Sequence, residues 1–574
     1  MKKYILSFTL ILSATAAFAQ PGSGLGNIEI GVTEKYKAKV GEAVKMQSFP
    51  DFEDTTAKKL QVNYRITSQP VPIKFNPEPL SPARIARIPV DELPKGMVKL
   101  GFGLYTTPLA EAYYNTGRSS KYNLGFYGRH FSTITGVENT LYDNNGISEN
   151  RLGGYFNRFY KELTWKNKVE ANFNKYSYYG IDPVGDLTAD STLGDSEYNW
   201  QRSFGFNTEI LEAKPKDLGL VKKLGLGYYH FNDRFNSKEN YVDLKSGFVL
   251  PAADEEIDLA VNLSYFKTVY DTLLTSIPTT PQEQSYFSLQ LRPTVKVAVK
   301  DLLFNFGINL QNLSFNGVQN DSNELSQNSL YFFPILELSY PVVEDVLSLK
   351  GGITGYVEQN TYRSLANKWH FMNPALQLIP SRTTELYIAM DGILSSTTSF
   401  VVKGGYRDLR GMALPYRDPF YYTDSASSPG IDVVYDDAKS FFIRGELSTR
   451  IREDFTLSVS GELRDYNMEN VDFAWHTPNF TAGLLAQYIY REKIKVGADM
   501  KFTGSREAFV QDNNQVVSST LPAYFLTNLQ LEYLYNTRLS AFINVYNLTN
   551  SKYDVFLGYQ AQKINFMLGL GYKF

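Results

Sequence analysis

Residue types that commonly carry catalysis or bind metal ions are sparse in this chain. Its 4 histidines, at positions 130, 230, 370 and 476, do not have the spacing of metal ligands, and cysteine does not occur. Zinc-protease, Walker A and nucleophile-elbow motifs are absent from the sequence. We predict no catalytic residue, no cofactor and no metal site, and therefore a protein that is not an enzyme. A serine, histidine and acid centre assembled from facing strands is the alternative that the sequence leaves open.

The segment 393–439 is the other place where chemistry could occur, because tyrosine and aspartate are frequent in it. Tyrosine rings stack on sugars and peptides, and carboxylates accept hydrogen bonds or bind cations. We predict a long extracellular loop there. Its candidate ligand-binding residues are Tyr416, Asp418, Tyr421, Tyr422, Asp424 and Tyr435. The alternative is a loop that packs on itself and covers the interior of the fold.

The end of the chain has a hydrophobic period of two. Every second residue from 564 to 574 is apolar or aromatic, and the residues between them are mostly polar or glycine. This alternation predicts a β-strand with one face in lipid and the other in polar surroundings. A terminal strand that closes on an aromatic residue resembles the C-terminal signal of bacterial outer-membrane barrels. The residues of this predicted assembly signal are Phe566, Leu568, Leu570, Tyr572 and Phe574.

The N-terminal sequence predicts export. Residues 1–19 combine two lysines, a short apolar core and an Ala-Phe-Ala cleavage site, as is typical of a signal peptide. Beyond them, no apolar run approaches the roughly 18 to 20 residues that a membrane helix needs. Only helices and closed barrels satisfy their backbone hydrogen bonds in lipid, so a membrane protein with this sequence must be a barrel.

Residues 20–96 form a separate segment in which prolines crowd between positions 70 and 94. This density excludes a long helix and favours an extended chain. We predict a proline-rich periplasmic arm or reduced plug, which enters the barrel or docks on a partner. A disordered linker is the alternative.

Residues 97–574 predict an all-β, transmembrane antiparallel β-barrel of about 22 strands, one of them at 368–378. In the predicted strand 440–452, Phe441 and Ile443 alternate with Arg444 and Glu446, as expected for lipid-facing and lumen-facing side chains. Short connections alternate with longer ones, as periplasmic turns and extracellular loops do in outer-membrane barrels. An even strand number places both termini in the periplasm.

The sequence Asn-Leu-Thr-Asn-x-x-Tyr at 547–553, followed by the terminal aromatic strand, resembles the closing hairpin of TonB-dependent outer-membrane receptors. The resemblance covers about 97–574. It implies an outer-membrane location in a Gram-negative bacterium and a part in transport. Receptors of that family carry a globular plug about twice as long as the segment 20–96, so we expect a complete plug to be absent.

These observations predict a non-enzymatic outer-membrane barrel that is an occluded or partner-gated subunit of a transport or assembly complex. The alternative is a TonB-dependent or passive importer of a nutrient. The expected partners are outer-membrane lipid, the barrel assembly machinery during biogenesis, and an outer-membrane or periplasmic protein that docks through residues 20–96. A net charge of -3 gives no electrostatic basis for binding nucleic acid.

Overall fold

The computed structural model describes residues 94–574 with short gaps. The gaps are 138–139, 141–144, 181–197, 216, 218, 253–254, 271–282, 319–323, 374–375, 419–421, 424–425, 428–429 and 513–514. The predicted signal peptide at 1–19 and all but the last residues of the predicted arm at 20–96 therefore lie outside the described residues.

The described residues form 28 strands and one short helix. The first fifteen strands are β1 Gly96–Gly103, β2 Thr107–Asn115, β3 Tyr122–Thr133, β4 Ile147–Phe159, β5 Leu163–Ser177, β6 Tyr198–Glu212, β7 Val221–Asp233, β8 Lys238–Ala252, β9 Glu255–Val269, β10 Glu283–Val299, β11 Leu302–Val318, β12 Glu324–Val343, β13 Leu347–Glu358, β14 Ser381–Ser395 and β15 Thr398–Asp418.

The remaining strands are β16 Tyr422–Thr423, β17 Ala426–Ser427, β18 Gly430–Arg452, β19 Phe455–Met468, β20 Phe480–Tyr490, β21 Ile494–Thr503, β22 Arg506–Asp512, β23 Gln515–Leu521, β24 Tyr524–Leu534, β25 Leu539–Tyr546, β26 Asp554–Phe556, β27 Tyr559–Gln560 and β28 Asn565–Lys573. The helix α1, Tyr362–Lys368, lies between β13 and β14. Within the described part of the chain, no helix has the length and apolar character needed to cross a membrane.

Twenty-two of these strands form a closed antiparallel barrel, which confirms the predicted fold class and strand number. Each barrel strand pairs with the next one along the chain, and the first, β1, pairs with the last, β28, over Met97–Gly103 and Met567–Lys573. The strands outside the wall form small hairpins, β16 with β17, β22 with β23 and β26 with β27. Closure leaves no unpaired edge that would expose backbone groups to lipid.

The alternation of side chains along the strands explains why the barrel can stand in a membrane. On β18, Phe441 and Ile443 are 66% and 55% exposed on the outer surface, whereas Arg444 and Glu446 form an ion pair of 3.7 Å on the other face. A shift of one residue would place both charges in lipid, at a cost of about 2–4 kcal/mol near the midplane for the arginine alone. The faces predicted for 440–452 are therefore the observed ones.

The two ends of the barrel differ in the length of their connections. At one end each connection has two to eight residues, as at 300–301 and 213–220, while at the other end they reach 22 residues at 359–380. Several short turns use residues with a positive φ, among them Lys300 and Asp345. The first residue of β1 and the last residue of β28 both lie at the end with short turns. In known outer-membrane barrels, the end with short turns is the periplasmic one.

Two sequence-based predictions about the wall are wrong. The segment 368–378 is not a strand, because its apolar side chains are buried inside the barrel by a non-strand connection. The segment 393–439 is not a loop, because most of it belongs to the long strands β15 and β18 and only 419–429 connects them. One strand too many and one too few cancel, so the predicted total of 22 was right for a partly wrong reason.

Candidate functional site

The longest connection of the barrel, residues 359–380 between β13 and β14, folds into the barrel, and we call it the lumen loop. It contains α1, which begins where the Thr361 hydroxyl accepts a hydrogen bond of 3.1 Å from the Ser364 amide. A threonine at this position satisfies one of the amide groups left free at a helix start. The helix turns Tyr362, Leu365 and Ala366 inward, and each of these is 1% exposed.

The lumen loop spans the interior of the barrel. Directly after β5, the Tyr178 hydroxyl donates a 3.0 Å hydrogen bond to the Met372 carbonyl. Because β5 and β14 are nine strands apart in a ring of 22, this contact lies nearly opposite the point where the loop returns to the wall. On β18, the Ile431 amide donates to the Phe371 carbonyl at 2.9 Å, and the Asn373 amide donates to the Ile431 carbonyl at 2.9 Å. The loop therefore crosses the lumen.

An apolar cluster holds the lumen loop against the inner wall. Its members come from the loop and from at least six strands and connections, at the end of the barrel that has the long connections. They include Tyr176, Tyr178, Phe231, Phe266, Tyr286, Phe333, Tyr362, Leu365, Trp369, Phe371, Met372, Leu376, Leu378, Ile431 and Tyr559. Burying a large apolar side chain contributes about 1.5–3 kcal/mol, so a cluster of this size strongly stabilises the position of the loop against the wall. Such a dry core is unusual inside a barrel whose interior is otherwise lined by polar side chains.

Two buried carboxylates on the wall bind the start of α1. Glu239 on β8 accepts hydrogen bonds from the Tyr362 amide at 2.7 Å and from the Arg363 amide at 3.2 Å. It also accepts from the hydroxyls of Thr268 and Tyr229, at 2.7 and 2.9 Å. A buried carboxylate is tolerated only when its lone pairs are used in this way.

The second carboxylate, Asp233 at the end of β7, accepts a hydrogen bond of 2.5 Å from the Tyr362 hydroxyl. Its other oxygen accepts from the amides of Phe235 and Ser237, at 3.0 Å each. Tyr362 is thus bound through both its backbone and its side chain, so the helix is positioned by the wall rather than by its own seven residues.

The second half of the lumen loop, which leads back to the wall at β14, is bound by β10 and by Tyr270, the residue that follows β9. The Gln284 amide group donates to the Leu376 carbonyl at 2.7 Å and its oxygen accepts from the Leu378 amide at 3.0 Å. Tyr270 donates to the same Leu376 carbonyl at 2.9 Å, and Tyr286 donates to the Leu378 carbonyl. Satisfying the backbone groups of an irregular segment allows it to be buried without secondary structure of its own.

The lumen loop also contacts the connection 547–564 between β25 and β28. Phe371 stacks on Tyr559 with ring centroids 4.0 Å apart, and Tyr559 is fully buried. Tyr179 packs edge-on against both rings and donates to the Gln560 carbonyl at 2.8 Å. Two connections that begin on distant strands therefore share one aromatic contact.

The Asn-Leu-Thr-Asn motif at 547–553 has a structural explanation. The Asn547 side chain donates to the carbonyls of Ser551 and Gln562 at 3.1 and 3.0 Å and accepts from the Ser551 amide at 3.0 Å. Asn547 and Asn550 both have a positive φ, which asparagine adopts more readily than most residues. The motif folds the connection back toward the barrel.

Further connections extend the contact network. Arg506 on β22 donates to the carbonyls of Val555 and Asp554 at 3.0 and 2.5 Å, and Arg417 on β15 donates to the Leu557 carbonyl at 3.1 Å. Burial and the adjacent Arg506 guanidinium lower the pKa of His476 to about 3. The His476 ring is therefore neutral at ordinary pH.

Two cavities lie along the inner wall near the lumen loop. The larger, about 450 Å³, is lined mainly by amides, hydroxyls and the stacked pair Tyr229 and Tyr241, whose centroids are 4.9 Å apart. The smaller, about 220 Å³, lies between α1 and strands β4 to β7 and contains Arg151 and Arg363. Both cavities are of the polar kind that holds water or a polar solute.

Of the predicted ligand-binding residues of 393–439, the structure describes the side chains of Tyr416 and Tyr435 only, and it does not bring these two together. In the β15–β18 register, Tyr416 faces Asp432 while Tyr435 faces Ala413, so the two tyrosines project from opposite faces of the sheet. Tyr416 packs near Phe509 with centroids 5.2 Å apart. Tyr421 and Asp424 lie outside the described residues, as do the side chains of Asp418 and Tyr422.

The residues of the predicted assembly signal lie on the outer surface of β28 and at Phe574, the residue that follows it. Phe566, Leu568, Leu570, Tyr572 and Phe574 are between 44% and 62% exposed, as expected for lipid-facing side chains. On the inner face, a Cβ on Gly569 would come within 2.2 Å of the Phe542 ring. Glycine is therefore required there by the close approach of a neighbouring ring. Recognition of this strand during assembly stays a prediction.

Sequence reasoning missed the lumen loop and the carboxylates that bind it. The available signal was the apolar content of Trp369, Phe371, Leu376 and Leu378 next to a possible helix start at Thr361. An extracellular loop in water would not need these large apolar side chains.

The closed 22-strand barrel has the fold of TonB-dependent outer-membrane receptors, as the resemblance in the sequence predicted. The ferripyoverdine receptor of the outer membrane of Pseudomonas aeruginosa is similar at a TM-score of 0.61 and 14% identity, over 84% of this chain and 72% of that one. The ferric-catecholate import receptor Fiu from E. coli K12 has a TM-score of 0.61 at 11% identity, over 84% and 82% of the two chains.

The FrpB iron transporter from Neisseria meningitidis is similar at a TM-score of 0.60 and 12% identity, over 84% of this chain and 82% of that chain. No protein-family model and no curated protein matches the sequence. Identities this low establish the fold alone, so the chain has a receptor-like β-barrel fold, and its function has to be argued from its own interior.

Proposed function

We propose that this protein is a non-enzymatic outer-membrane barrel whose lumen is closed by its own lumen loop and which acts as an occluded or partner-gated subunit of a transport or assembly complex. The observation that carries the proposal is the crossing of the lumen by residues 359–380, bound at β5, β8, β10 and β18. A barrel of 22 strands is wide enough to leak solutes unless something fills it. The lumen loop is a part of the barrel chain itself that can fill this space.

The mode of binding supports a closed resting state. Glu239 accepts four hydrogen bonds, two of them from the backbone of α1, and hydrogen bonds to a charged group each contribute about 1.5–3 kcal/mol. Opening the loop would also expose the apolar cluster to water. Spontaneous opening is therefore rare, and a partner that stabilises the open form is the expected trigger.

The barrel closure, the lipid-facing side chains and the similar outer-membrane receptors support an outer-membrane location. The short connections support a periplasmic position for both ends of the barrel. Lipid and the barrel assembly machinery are then the expected partners of the outer surface and of β28. Residues 20–96, attached at the periplasmic end, are the segment through which we expect a further protein to dock.

A working nutrient importer is the second candidate. The names of the similar structures favour it, since they describe an iron transporter and receptors for iron-bound ligands. Two polar cavities beside the lumen loop also favour it, because a transported solute needs polar groups along its path. Import would require the lumen loop to leave its place in each cycle.

A gentle detergent pull-down of the native protein, followed by mass spectrometry, separates the two candidates. A subunit is expected to bring down a companion in stoichiometric amount, and removal of residues 22–90 is expected to release it while the barrel stays folded. The subunit proposal would be contradicted, and import favoured, if the protein is isolated without a companion and cells that contain it accumulate a nutrient in an energy-dependent manner.

A further inference from the structure

The smaller cavity contains an arginine without a carboxylate partner. Arg363, the second residue of α1, lies with its guanidinium 4.2 Å from the centre of the Tyr229 ring. Its Nε atom is buried and has no hydrogen-bond partner among the described residues. The part of the chain that the structure describes also places no Asp or Glu oxygen within 4.0 Å of its guanidinium. A buried guanidinium nitrogen in this state is costly unless a ligand or water satisfies it.

A second guanidinium lines the same cavity from the wall. Arg151 on β4 donates through one nitrogen to Glu170 at 2.6 Å. Glu170 also accepts from the Tyr127 hydroxyl at 2.6 Å and pairs with Lys168 at 2.9 Å. The one carboxylate of the cavity is therefore engaged by three donors. Arg151 and Arg363 line the cavity together with one acidic residue, Glu170, so its lining carries one positive charge in excess.

Neutral hydrogen-bonding groups complete the wall. Asn172, Asn174, Gln201 and Ser203 line the cavity beside the two arginines. Its volume of about 220 Å³ is small, since pockets for drug-sized ligands measure about 300–1,000 Å³. The space and the groups around it suit a compact anion with several oxygen acceptors rather than a large or apolar molecule.

We propose that this cavity is a binding site for a small phosphate-type oxyanion, free or as the phosphate of a sugar ester. The fork of the guanidinium group matches two oxygens of a phosphate, which a lysine cannot do. An anion bound there connects the guanidinium of Arg363 in the lumen loop with that of Arg151 in the barrel wall. The site does not depend on whether the barrel is a subunit or an importer, and it adds a ligand to either.

The test is a titration of the purified full-length protein in detergent with inorganic phosphate, followed by calorimetry and by ³¹P NMR. Wild-type protein is expected to bind phosphate, and Arg363→Gln is expected to weaken binding by about tenfold or more because a charge-assisted pair is lost. Lys368→Gln is the matched control, since Lys368 is an exposed cation of the same helix that does not line the cavity. It is expected to retain wild-type affinity.

Arg363→Lys keeps the charge and removes the fork, so it is expected to bind less tightly than wild type even if Arg363→Gln does not fold. Glucose 6-phosphate and glucose serve as further probes. Tighter binding of the ester than of free phosphate, with no binding of glucose, identifies a sugar phosphate, and equal binding identifies the free anion. Absence of phosphate binding by folded wild type at about 10 mM, where even a Kd of about 1 mM is detected, would overturn the proposal. Equal affinities of wild type and both Arg363 variants would overturn it too.

Discussion

Phe371 of the lumen loop stacks on Tyr559 of the β25–β28 connection, with the ring centroids 4.0 Å apart and the planes inclined by 17°. Both rings are buried, Phe371 to 6% exposure and Tyr559 completely. The two residues lie on connections that leave the barrel wall from different strands, so neither can move away without uncovering the other. This contact couples the positions of the two connections.

The first prediction concerns this aromatic contact. Phe371→Ala is expected to weaken the closed form by about 3–5 kcal/mol, the usual cost of deleting a buried aromatic ring. Hydrogen exchange measured by mass spectrometry should then show faster exchange in both 362–373 and 554–560. Phe332→Ala is the control, because Phe332 is 61% exposed on the outer face of β12. If the Phe371 variant leaves exchange in 554–560 unchanged, the coupling of the two connections is refuted.

The second prediction concerns the carboxylate that binds α1. Glu239→Gln keeps the shape but lacks the charge and one acceptor, so it is expected to destabilise the bound helix by about 1–3 kcal/mol. Limited proteolysis of the protein in detergent should then cleave within 361–378 faster than in wild type. Glu255→Gln on the exposed start of β9 provides the comparison and should behave as wild type. Equal cleavage of all three proteins would mean that Glu239 does not position the helix.

The third prediction is a pH dependence of the β19–β20 connection. The pKa of His476 is lowered to about 3 by burial and by Arg506, whereas an exposed histidine has a pKa of about 6.5. Above pH 6.5 the ring is neutral in both the closed and the opened connection, so it contributes no pH dependence. Below pH 6.5 only the opened form binds a proton, and the closed form loses about 1.4 kcal/mol per pH unit until about pH 3.

Hydrogen exchange of residues 469–479 at pH 7.5 and pH 5, corrected for the intrinsic exchange rates, measures this effect. Exchange should become relatively faster at the lower pH in wild type and should lose that dependence in His476→Phe. His230→Phe, which changes a histidine on strand β7, should retain it. A pH dependence that survives in His476→Phe would assign the effect to another group.

The fourth prediction concerns the terminal strand. Leu568 is 62% exposed on the outer face of β28, so Leu568→Lys puts a charge in hydrocarbon at a cost of about 2–4 kcal/mol near the midplane. Folded barrel, detected by its heat-modifiable mobility in electrophoresis, should be strongly reduced in the outer membrane. Lys573→Gln on the inner face should accumulate normally. Deletion of the last three residues should prevent accumulation, and unchanged levels of folded barrel in that deletion would refute the assembly signal.

The barrel wall could be predicted from the sequence because lipid imposes a period of two on each strand. Phe441 and Ile443 on β18, and Phe566 and Leu568 on β28, follow that period without interruption. The second half of β15 contains Arg407, Asp408 and Arg410, so both faces of the strand carry charges there. Because one face is no longer apolar, the alternation did not predict β15. Strand residues that stand above the lipid are not required to be apolar on either face.

The lumen loop could not be predicted because its contacts connect residues that are far apart in the chain. Tyr178 and Met372, which share a hydrogen bond, are separated by 194 positions. The large apolar residues of 369–378 indicate burial, and a buried strand is the more common origin of such a short apolar segment. Only the arrangement of the barrel around the loop shows that the segment is buried without being a strand.

The conductance of the purified protein in a planar lipid bilayer tests the closed lumen most directly. Full-length protein is expected to show no large, stable conductance, because the lumen loop crosses the barrel between β5 and β14. A variant in which a short Gly-Ser linker replaces residues 361–378 is expected to fold and to conduct through a wide channel. A large and stable conductance of the full-length protein alone would contradict the account and describe an open pore.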